Sequence, residues 1–157
     1  LYIRLKKEIK NVKNKKDCWL LNKKCVEIEP EGYYGFTYCI TDDKGKKYYG
    51  KKAFTHRTKT KLSKRAKALP ENKGKRVSIG TKNSGWLTYW GSCKPLLEYI
   101  AKNGNSGFKR EVVKLCLTKQ DLAYYEAELL IKERVLFRDD CWNGNVLSKF
   151  FKGKINE

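Results

Sequence analysis

The pattern of apolar and polar positions predicts short strands in the first third of the chain and one more in its last third. Residues 33–40 (YYGFTYCI) and 46–50 (KKYYG) are rich in aromatic residues, and the loop TDDKG separates them. The run CWLLNKKCVEI predicts a shorter hairpin that ends before Pro30. Alternation in FKREVVKLCL predicts a further strand at 108–117. Together these segments predict a small sheet.

The loop of the aromatic hairpin predicts its register. A five-residue loop at 41–45 places Ile40 opposite Lys46 and Tyr38 opposite Tyr48. Directly opposed residues lie on one face of a sheet, so the two tyrosines are expected to be cross-strand neighbours.

Two helices are predicted in the second half of the chain. One covers 94–103 and is closed at Gly104, and the other covers about 119–137, with Thr118 as N-cap and Asp121 at its third position. The opening run LYIRLKKEI is long enough for one or two further turns. The fold class predicted is α/β (α+β): a small three-stranded, mainly antiparallel sheet flanked by helices.

Charge is the strongest signal in the composition. The chain has 36 basic and 17 acidic residues, a formal net charge of +19. A compact chain with this much charge of one sign repels itself, and a polyanionic partner offsets that repulsion. Nucleic acid, whether DNA or RNA, is the first partner expected, because Lys and Arg release counterions from phosphates. An anionic membrane fits less well, since no basic amphipathic helix has a clean apolar face; a merely soluble lysine-rich surface is the other interpretation.

Residues 55–83 contain ten Lys or Arg and a single acid, Glu71. Apolar residues are few, so the segment is predicted to be a basic arm, or a short exposed helix with a loop, that is mobile without its partner. The residues predicted to bind nucleic acid are Lys59, Lys61, Lys64, Arg65, Lys67, Lys75 and Arg76.

The six cysteines and the single histidine, His56, argue against a zinc site, because no two cysteines form a C-x-x-C pair. Cys39 and Cys116 lie in apolar runs and are expected to be buried. The even count permits disulfides, but the basic composition without a signal peptide favours reduced thiols in the cytoplasm. No apolar stretch reaches the length of a membrane span.

The predicted long helix holds carboxylates near its apolar face. Glu126 lies on or beside the apolar stripe, as does Glu133 two turns later, whereas Glu128 can pair with Lys132 on a solvated surface. A carboxylate at the stripe is costly unless it is paired or binds a metal. The alternative for Glu126 is a residue at the stripe edge that reaches water.

The tyrosine hairpin also carries candidate chemistry. A phenol is a poor base at neutral pH, but nearby positive charge from Lys51 and Lys52 favours the phenolate of Tyr38 or Tyr48. A metal held by Glu126 would stabilise phosphate charge and a leaving oxygen. These are the groups needed for phosphodiester hydrolysis. Taken one at a time, however, each residue is better explained by packing or solvation.

The combination resembles a known family. FTY at 36–38 and YYG at 48–50 resemble the two signature tripeptides of GIY-YIG nucleases. Six longer runs follow the order typical of phage GIY-YIG enzymes of the SegE-like group: GFTYCIT, YYGKK, GWLTYWGSCKPLLEYI, GFKREVVKLC, LAYYEAELL and VLFRDDCWNGN. The resemblance covers roughly residues 33–147, and the ordered set is far more specific than the tripeptides.

The resemblance implies roles for residues of the hairpin. Tyr38 and Tyr48 stand at the tripeptide tyrosines, which line the active site and of which one helps to activate the attacking water. Lys51 and Lys52 stand at positions that are also basic in the related phage sequences.

Two further roles follow from the same resemblance. Glu126 falls at the single metal-binding glutamate of the family, which favours it over Glu128 and Glu133. Asn143 resembles the C-terminal asparagine that organises the site, with Asn145 as its competitor.

The family arginine, about ten residues past the second tyrosine, falls on Thr58. We predict that the adjacent Arg57 takes this role, with Arg65 two turns later as the alternative.

The sequence therefore predicts a phage-type, metal-dependent DNA endonuclease that uses Mg²⁺ or another divalent cation such as Mn²⁺ and acts in the cytoplasm of an infected bacterium. Its predicted organisation is a basic extension at 1–32, the nuclease domain at 33–147 with 55–83 as an insertion, and a tail at 148–157. The alternatives are a catalytically silent nucleic-acid-binding module on the same fold and a ribosome-associated basic protein. Oligomeric state and target are left open.

Overall fold

The computed structural model describes residues 17–155, so the predicted helical turns in LYIRLKKEI lie outside the described residues. The described part contains nine strands, three α-helices and three short 3₁₀ helices. The strands are β1 (Trp19–Leu21), β2 (Lys24–Val26), β3 (Gly35–Thr41), β4 (Lys47–Ala53), β5 (Thr55–Lys61), β6 (Val77–Asn83), β7 (Lys109–Cys116), β8 (Asn145–Val146) and β9 (Phe150–Phe151). The α-helices are α1 (Lys64–Lys67), α2 (Lys94–Asn103) and α3 (Lys119–Lys132), and the 3₁₀ helices are Pro70–Asn72, Trp86–Thr88 and Val135–Phe137.

The main sheet has five strands in the order β2-β1-β7-β3-β4, which corrects the prediction of three. The two additional strands are the predicted hairpin in CWLLNKKCVEI, in which β1 pairs antiparallel with β2 and parallel with β7. The mixed α+β class and the mainly antiparallel pairing were predicted correctly. Strand count was wrong because pairing of β1 with β7 joins segments about ninety residues apart, and a sequence pattern does not reveal such partners.

The register of the aromatic hairpin differs from the prediction, because the loop covers residues 42–46 and not 41–45. Tyr38 lies opposite Gly50, and Ile40 lies opposite Tyr48. The loop is still five residues long but begins at Asp42, whose buried carboxylate accepts hydrogen bonds from the backbone amides of Lys44 (2.9 Å) and Lys46 (2.8 Å). The two tyrosines are therefore diagonal neighbours on one face, with ring centroids 6.1 Å apart.

A separate hydrophobic core covers each face of the sheet. The aromatic core contains Trp19, Phe36, Tyr38, Tyr48 and Trp86, and it is closed by the buried apolar residues of α2. The opposite core is smaller: it contains Tyr49 and Cys39 from the sheet, and it is covered by α3 and the chain that follows it. Successive residues of β4 thus point into different cores.

A buried arginine ties a loop onto the aromatic core. Arg110 of β7 is 3% exposed and lies between the rings of Trp19 and Trp90, with its guanidinium carbon 4.9 and 4.4 Å from the ring centroids. It donates to the carbonyls of Leu87 (2.9 Å) and Tyr89 (3.0 Å), and also to that of Asp17. Burial lowers its pKa to about 10. Arg110 therefore fixes the 84–93 loop, which packs against the two tyrosines.

Residues 55–83 form a two-stranded ribbon that was not predicted, with the expected short exposed helix at its tip. Seven residues of β5 pair antiparallel with seven of β6, and α1 with a 3₁₀ turn closes the tip. Ser63 caps α1, and Asn72 donates to the carbonyl of Ala66 at 2.9 Å. Backbone hydrogen bonding orders this segment although none of its strand residues is buried.

Helix boundaries agree well with the sequence patterns. Helix α2 has the predicted bounds and ends at Gly104, whose φ of 78° suits glycine. Helix α3 begins at the predicted Thr118–Asp121 capping box. It stops at Lys132 rather than at 137, because Arg134 adopts a left-handed backbone (φ 49°) and a 3₁₀ turn follows.

Cys18 and Cys25 are joined by a disulfide across the β1–β2 hairpin, where their Cα atoms are 5.6 Å apart. The expectation that all six thiols are reduced was therefore wrong, since the turn between the strands brings this pair within bonding reach. Cys39 and Cys116 are buried as predicted.

Across residues 17–155, no helix has the length and apolar character needed to cross a bilayer.

Candidate active site

A cavity of about 640 Å³ opens beside the outer edge of β4. Residues 140–142 run along the first part of this edge: Lys47 N donates to Asp140 O at 2.9 Å, and Trp142 N donates to Lys47 O at 2.8 Å. The cavity is lined by β4, α3, the start of α2 and the C-terminal segment, including Tyr48, Lys51, Ser92, Lys94, Glu126 and Asn143. Because it reaches around the edge strand, it collects residues from both faces of the sheet.

Glu126 and Lys51 form an ion pair within this cavity. The Lys51 Nζ lies 2.7 Å from Glu126 Oε2, and their side chains are 38% and 18% exposed. Glu126 was expected on or beside the apolar stripe of its helix, and it is half-buried there above β4. The pair places one carboxylate and one ammonium, both partly exposed, where an incoming cation or phosphate can reach them.

Tyr48 is the tyrosine that reaches the cavity. Its side-chain hydroxyl forms a hydrogen bond with the Ser92 hydroxyl at 3.2 Å, and burial raises its pKa to about 12. Gly91 makes room for the ring: with φ of 88°, it would place any Cβ 2.6 Å from Tyr48 Cε1. The Tyr48 phenol is therefore protonated at neutral pH.

Tyr38 lies behind Tyr48 and does not line the cavity. It is 1% exposed, and burial, with Tyr48 and Tyr89 adding to it, raises its pKa well above the usual value. Its hydroxyl occupies the space that a side chain at Gly50 would need, since a Cβ there would lie 2.6 Å away. The expectation that neighbouring lysines favour the phenolate is thus wrong for both tyrosines, because desolvation outweighs that charge effect.

Asn143 is buried and bonds the main chain of β4. Its Oδ1 accepts from Tyr49 N at 2.9 Å, and its Nδ2 donates to Tyr49 O at 2.8 Å. The Asn143 amide thus donates to and accepts from the backbone of one residue, as a neighbouring strand would. These bonds continue the contact that residues 140–142 make with β4. Asn143 therefore holds one wall of the cavity in place. Its sequence competitor, Asn145, also lines the cavity but is exposed.

Glu133 and Glu128, the two rivals of Glu126, lie elsewhere. Glu133 Oε2 accepts from the Tyr49 hydroxyl at 2.8 Å and from Arg138 at 3.0 Å. Glu128 is exposed on the outer side of α3. Tyr49, the middle residue of YYG, thus supplies a hydrogen bond to Glu133 as well as packing.

The remaining predicted residues are not gathered at the cavity. Lys52 points to the other side of β4, where its Nζ lies 4.1 Å from the Tyr89 ring centroid and donates to Ser84 O at 3.1 Å. Arg57 lies on the ribbon and lines a separate cleft with Tyr34 and Lys119. Within residues 17–155, no arginine lines the β4 cavity. The predicted nucleic-acid-binding residues all lie on the ribbon or its tip, and each is exposed.

Comparison with known proteins assigns the chain to a family. The family described as "Putative endonuclease segE, GIY-YIG domain" matches residues 19–152. The chain belongs to the SegE GIY-YIG family. The match includes the β1–β2 hairpin, which lies in the region predicted as an extension, and it ends after β9. No curated protein and no solved structure is significantly similar to the chain.

Membership in this endonuclease family makes nucleic acid the class of substrate that the fold implies. Tyr48, Lys51, Glu126 and Asn143, for which the sequence resemblance predicts roles in the site, all line the cavity.

Sequence reasoning missed the cavity residues that precede and begin α2. Ser92 bonds Tyr48, and Lys94 adds a cation at the first turn of the helix, where the macrodipole is positive. A glycine followed by a hydroxyl residue and a helix start (GSCKP) is the one sequence signal that pointed to them. It is a weak signal, since such starts are common.

Proposed function

We propose that this protein is a phage-type, metal-dependent DNA endonuclease that hydrolyses phosphodiester bonds. The observation that carries the proposal is the convergence of Tyr48, Lys51 and Glu126 on one cavity in a chain of the GIY-YIG family. The order of its motifs supports a phage origin, and with it action in the cytoplasm of an infected bacterium.

The cavity residues fit a divalent cation, such as Mg²⁺, that needs only one or two protein carboxylates. No group of three or more His, Cys, Asp or Glu side chains among residues 17–155 forms a protein-only metal cage. Mg²⁺ does not need one, because it commonly binds through one or two carboxylates, several waters and substrate phosphate. Glu126 would hold Mg²⁺ or Mn²⁺, which when bound supplies charge stabilisation of the phosphate and the departing oxygen.

The side chains of the cavity divide the remaining work. Lys51 and Lys94 bind the negatively charged phosphate, helped by the N-terminal end of α2. The small fraction of Tyr48 that is a phenolate accepts a proton from the water that attacks phosphorus, and Ser92 holds the phenol oxygen in place. The new bond joins water oxygen to phosphorus, and the bond to the leaving sugar oxygen breaks. Asn143 keeps β4 and the cavity wall aligned.

The test is cleavage of supercoiled plasmid by the full chain with MgCl₂ or MnCl₂, beside a chelated sample and a Glu126→Ala variant. We expect nicked or linear plasmid only with wild type and metal. Absence of cleavage by wild type, or equal cleavage by the variant, contradicts the proposal. An RNA of matched sequence in the same assay distinguishes DNA from RNA as the substrate.

A second candidate is a catalytically silent nucleic-acid-binding module. The observation that favours it is the position of Arg57, which lines a cleft other than the β4 cavity. This candidate predicts salt-sensitive DNA binding without cleavage under any divalent metal. Metal-dependent cleavage that is lost in Glu126→Ala excludes it.

A further inference from the structure

The two faces of the β5–β6 ribbon differ in chemistry. Alternate residues of a strand point to the same face, about 7 Å apart, so Arg57, Lys59 and Lys61 form one basic row. Their cross-strand partners are uncharged: Thr81, Ile79 and Val77. The opposite face carries His56 and small hydroxyl or glycine positions, with Lys82 as its single Lys or Arg among the two strands.

This basic face has no partner within the described chain. Among residues 17–155, Arg57, Lys59 and Lys61 take part in no ion pair. Ile79, directly opposite Lys59, leaves 54% of its surface exposed. An exposed aliphatic side chain beside a row of cations is suited to a polyanion that also offers apolar contacts.

The base of the ribbon is fixed to the aromatic core. Phe54, between β4 and β5, is buried against Phe36 and Trp86. Ser84, just after β6, donates from its backbone to Phe54 O at 2.9 Å and from its hydroxyl to Ala53 O at 2.5 Å. The ribbon therefore leaves the body in a defined direction. The Cα atom of Thr55, at the start of the ribbon, lies within about 14 Å of that of Lys51 in the cavity, because four residues of extended chain span no more than this.

A cleft of about 560 Å³ lies where the first part of the ribbon's basic face meets the body. Arg57 and Ile79 line one wall, and Tyr34 with Lys119 lines the other. Cations on opposite walls of one cleft attract a phosphate backbone that passes between them.

We propose that the β5–β6 ribbon docks this protein on double-stranded DNA by entering the major groove with its basic face. The inference rests on the proposed function in one respect, that the substrate is DNA. A B-DNA major groove about 12 Å wide admits a two-stranded ribbon, whereas the deep, narrow major groove of A-form RNA does not. Arg57, Lys59 and Lys61 contact phosphates, and Ile79 and Thr81 meet the base edges, where an apolar side chain suits the thymine methyl group.

The experiment measures binding to a fluorescent 30-base-pair DNA by anisotropy at graded salt, using full chains that all carry Glu126→Gln so that the probe is not cut. The ribbon variant adds Arg57→Gln, Lys59→Gln and Lys61→Gln. A matched control adds Lys23→Gln, Lys24→Gln and Lys102→Gln, which remove the same charge from exposed positions elsewhere. We expect the ribbon variant to lose about 30-fold in affinity and about three units of the salt slope, since each phosphate contact contributes nearly one.

Two outcomes overturn the inference: a ribbon variant that binds within about threefold of the control, or equal affinity for duplex DNA, single strands and duplex RNA. Cleavage by wild type is judged separately. If wild type cuts plasmid but the ribbon variant binds like its control, the nuclease function stands and the docking role fails. If wild type does not cut but the ribbon substitutions abolish binding to duplex DNA, the docking role stands and the nuclease function fails.

Discussion

Two antiparallel pairs of equal strand length follow one another in this chain and are stabilised in different ways. The β3–β4 hairpin and the β5–β6 ribbon each pair two seven-residue strands, and Phe54 joins them. Six of the seven residues of β3 are buried, whereas no residue of β5 or β6 is. The hairpin is held by two cores, and the ribbon by backbone hydrogen bonds and its anchored base.

The difference between the two strand pairs separates the chemistry of the cavity from the binding of a charged partner, and one substitution rarely changes both. Substitutions in the hairpin and around its cavity change packing, proton affinity and the position of reacting groups. Substitutions on the ribbon change charge that is already solvated, so they affect a partner more than the fold. The predictions below test this separation, from the largest expected effect to the smallest.

Glu126→Gln should lower the plasmid cleavage rate by about 1,000-fold, because the amide is a far poorer cation ligand than the carboxylate. DNA affinity should stay within about threefold, since the ribbon is untouched. The measurement is single-turnover cleavage with MgCl₂ together with anisotropy. The matched control is Glu128→Gln, on the same helix but exposed and outside the cavity; similar rates for the two variants would break the comparison.

Arg110→Met should lower the free energy of unfolding by about 3 kcal/mol, because the carbonyls of Leu87 and Tyr89 lose their buried donor and two indole rings lose a cation. Lys59→Met on the ribbon should change it by no more than about 0.5 kcal/mol. Denaturant unfolding measures both. A ribbon variant as damaging as the Arg110 variant would mean that the ribbon is part of the cooperative core.

Tyr48→Phe should reduce cleavage about 100-fold at pH 8, by removing the proton acceptor. The pKa of Tyr48 is raised to about 12. At any pH below this value, the phenolate fraction grows tenfold for each unit by which the pH rises. The wild-type rate is therefore expected to rise from pH 7 to 9.5, and the variant should lose that slope. A pH–rate profile at fixed metal concentration gives the result; parallel profiles would remove Tyr48 as the base.

Tyr49→Phe should cost about 1 kcal/mol of stability, because it deletes the hydrogen bond to Glu133 while keeping the ring. Tyr124→Phe, at a 64% exposed position, is the control and should be neutral. Thermal unfolding of both variants makes the comparison. Equal melting temperatures would show that the Tyr49 hydroxyl adds nothing to stability and that only the ring contributes, through packing.

Much of the fold was predictable because its signals are local. The bounds of α2, the Thr118–Asp121 capping box and the short hairpin before Pro30 depend on residues within a few positions of each other. The ribbon was missed because its strands carry no such local signal. Its strands carry cations in place of an apolar alternation, so nothing in a window of ten residues distinguishes it from an arm.

The sequence by itself determined the excess of positive charge, the two tripeptides, and a carboxylate placed beside an apolar stripe at Glu126. Only the tertiary structure decided that Tyr48 reaches the cavity while Tyr38 is sealed behind it, and that Arg57 lies at a different cleft. The physical reason is range. Burial, pKa and the shape of a cavity arise from contacts such as Tyr48 with Ser92 and Tyr49 with Asn143, which join residues 44 and 94 positions apart.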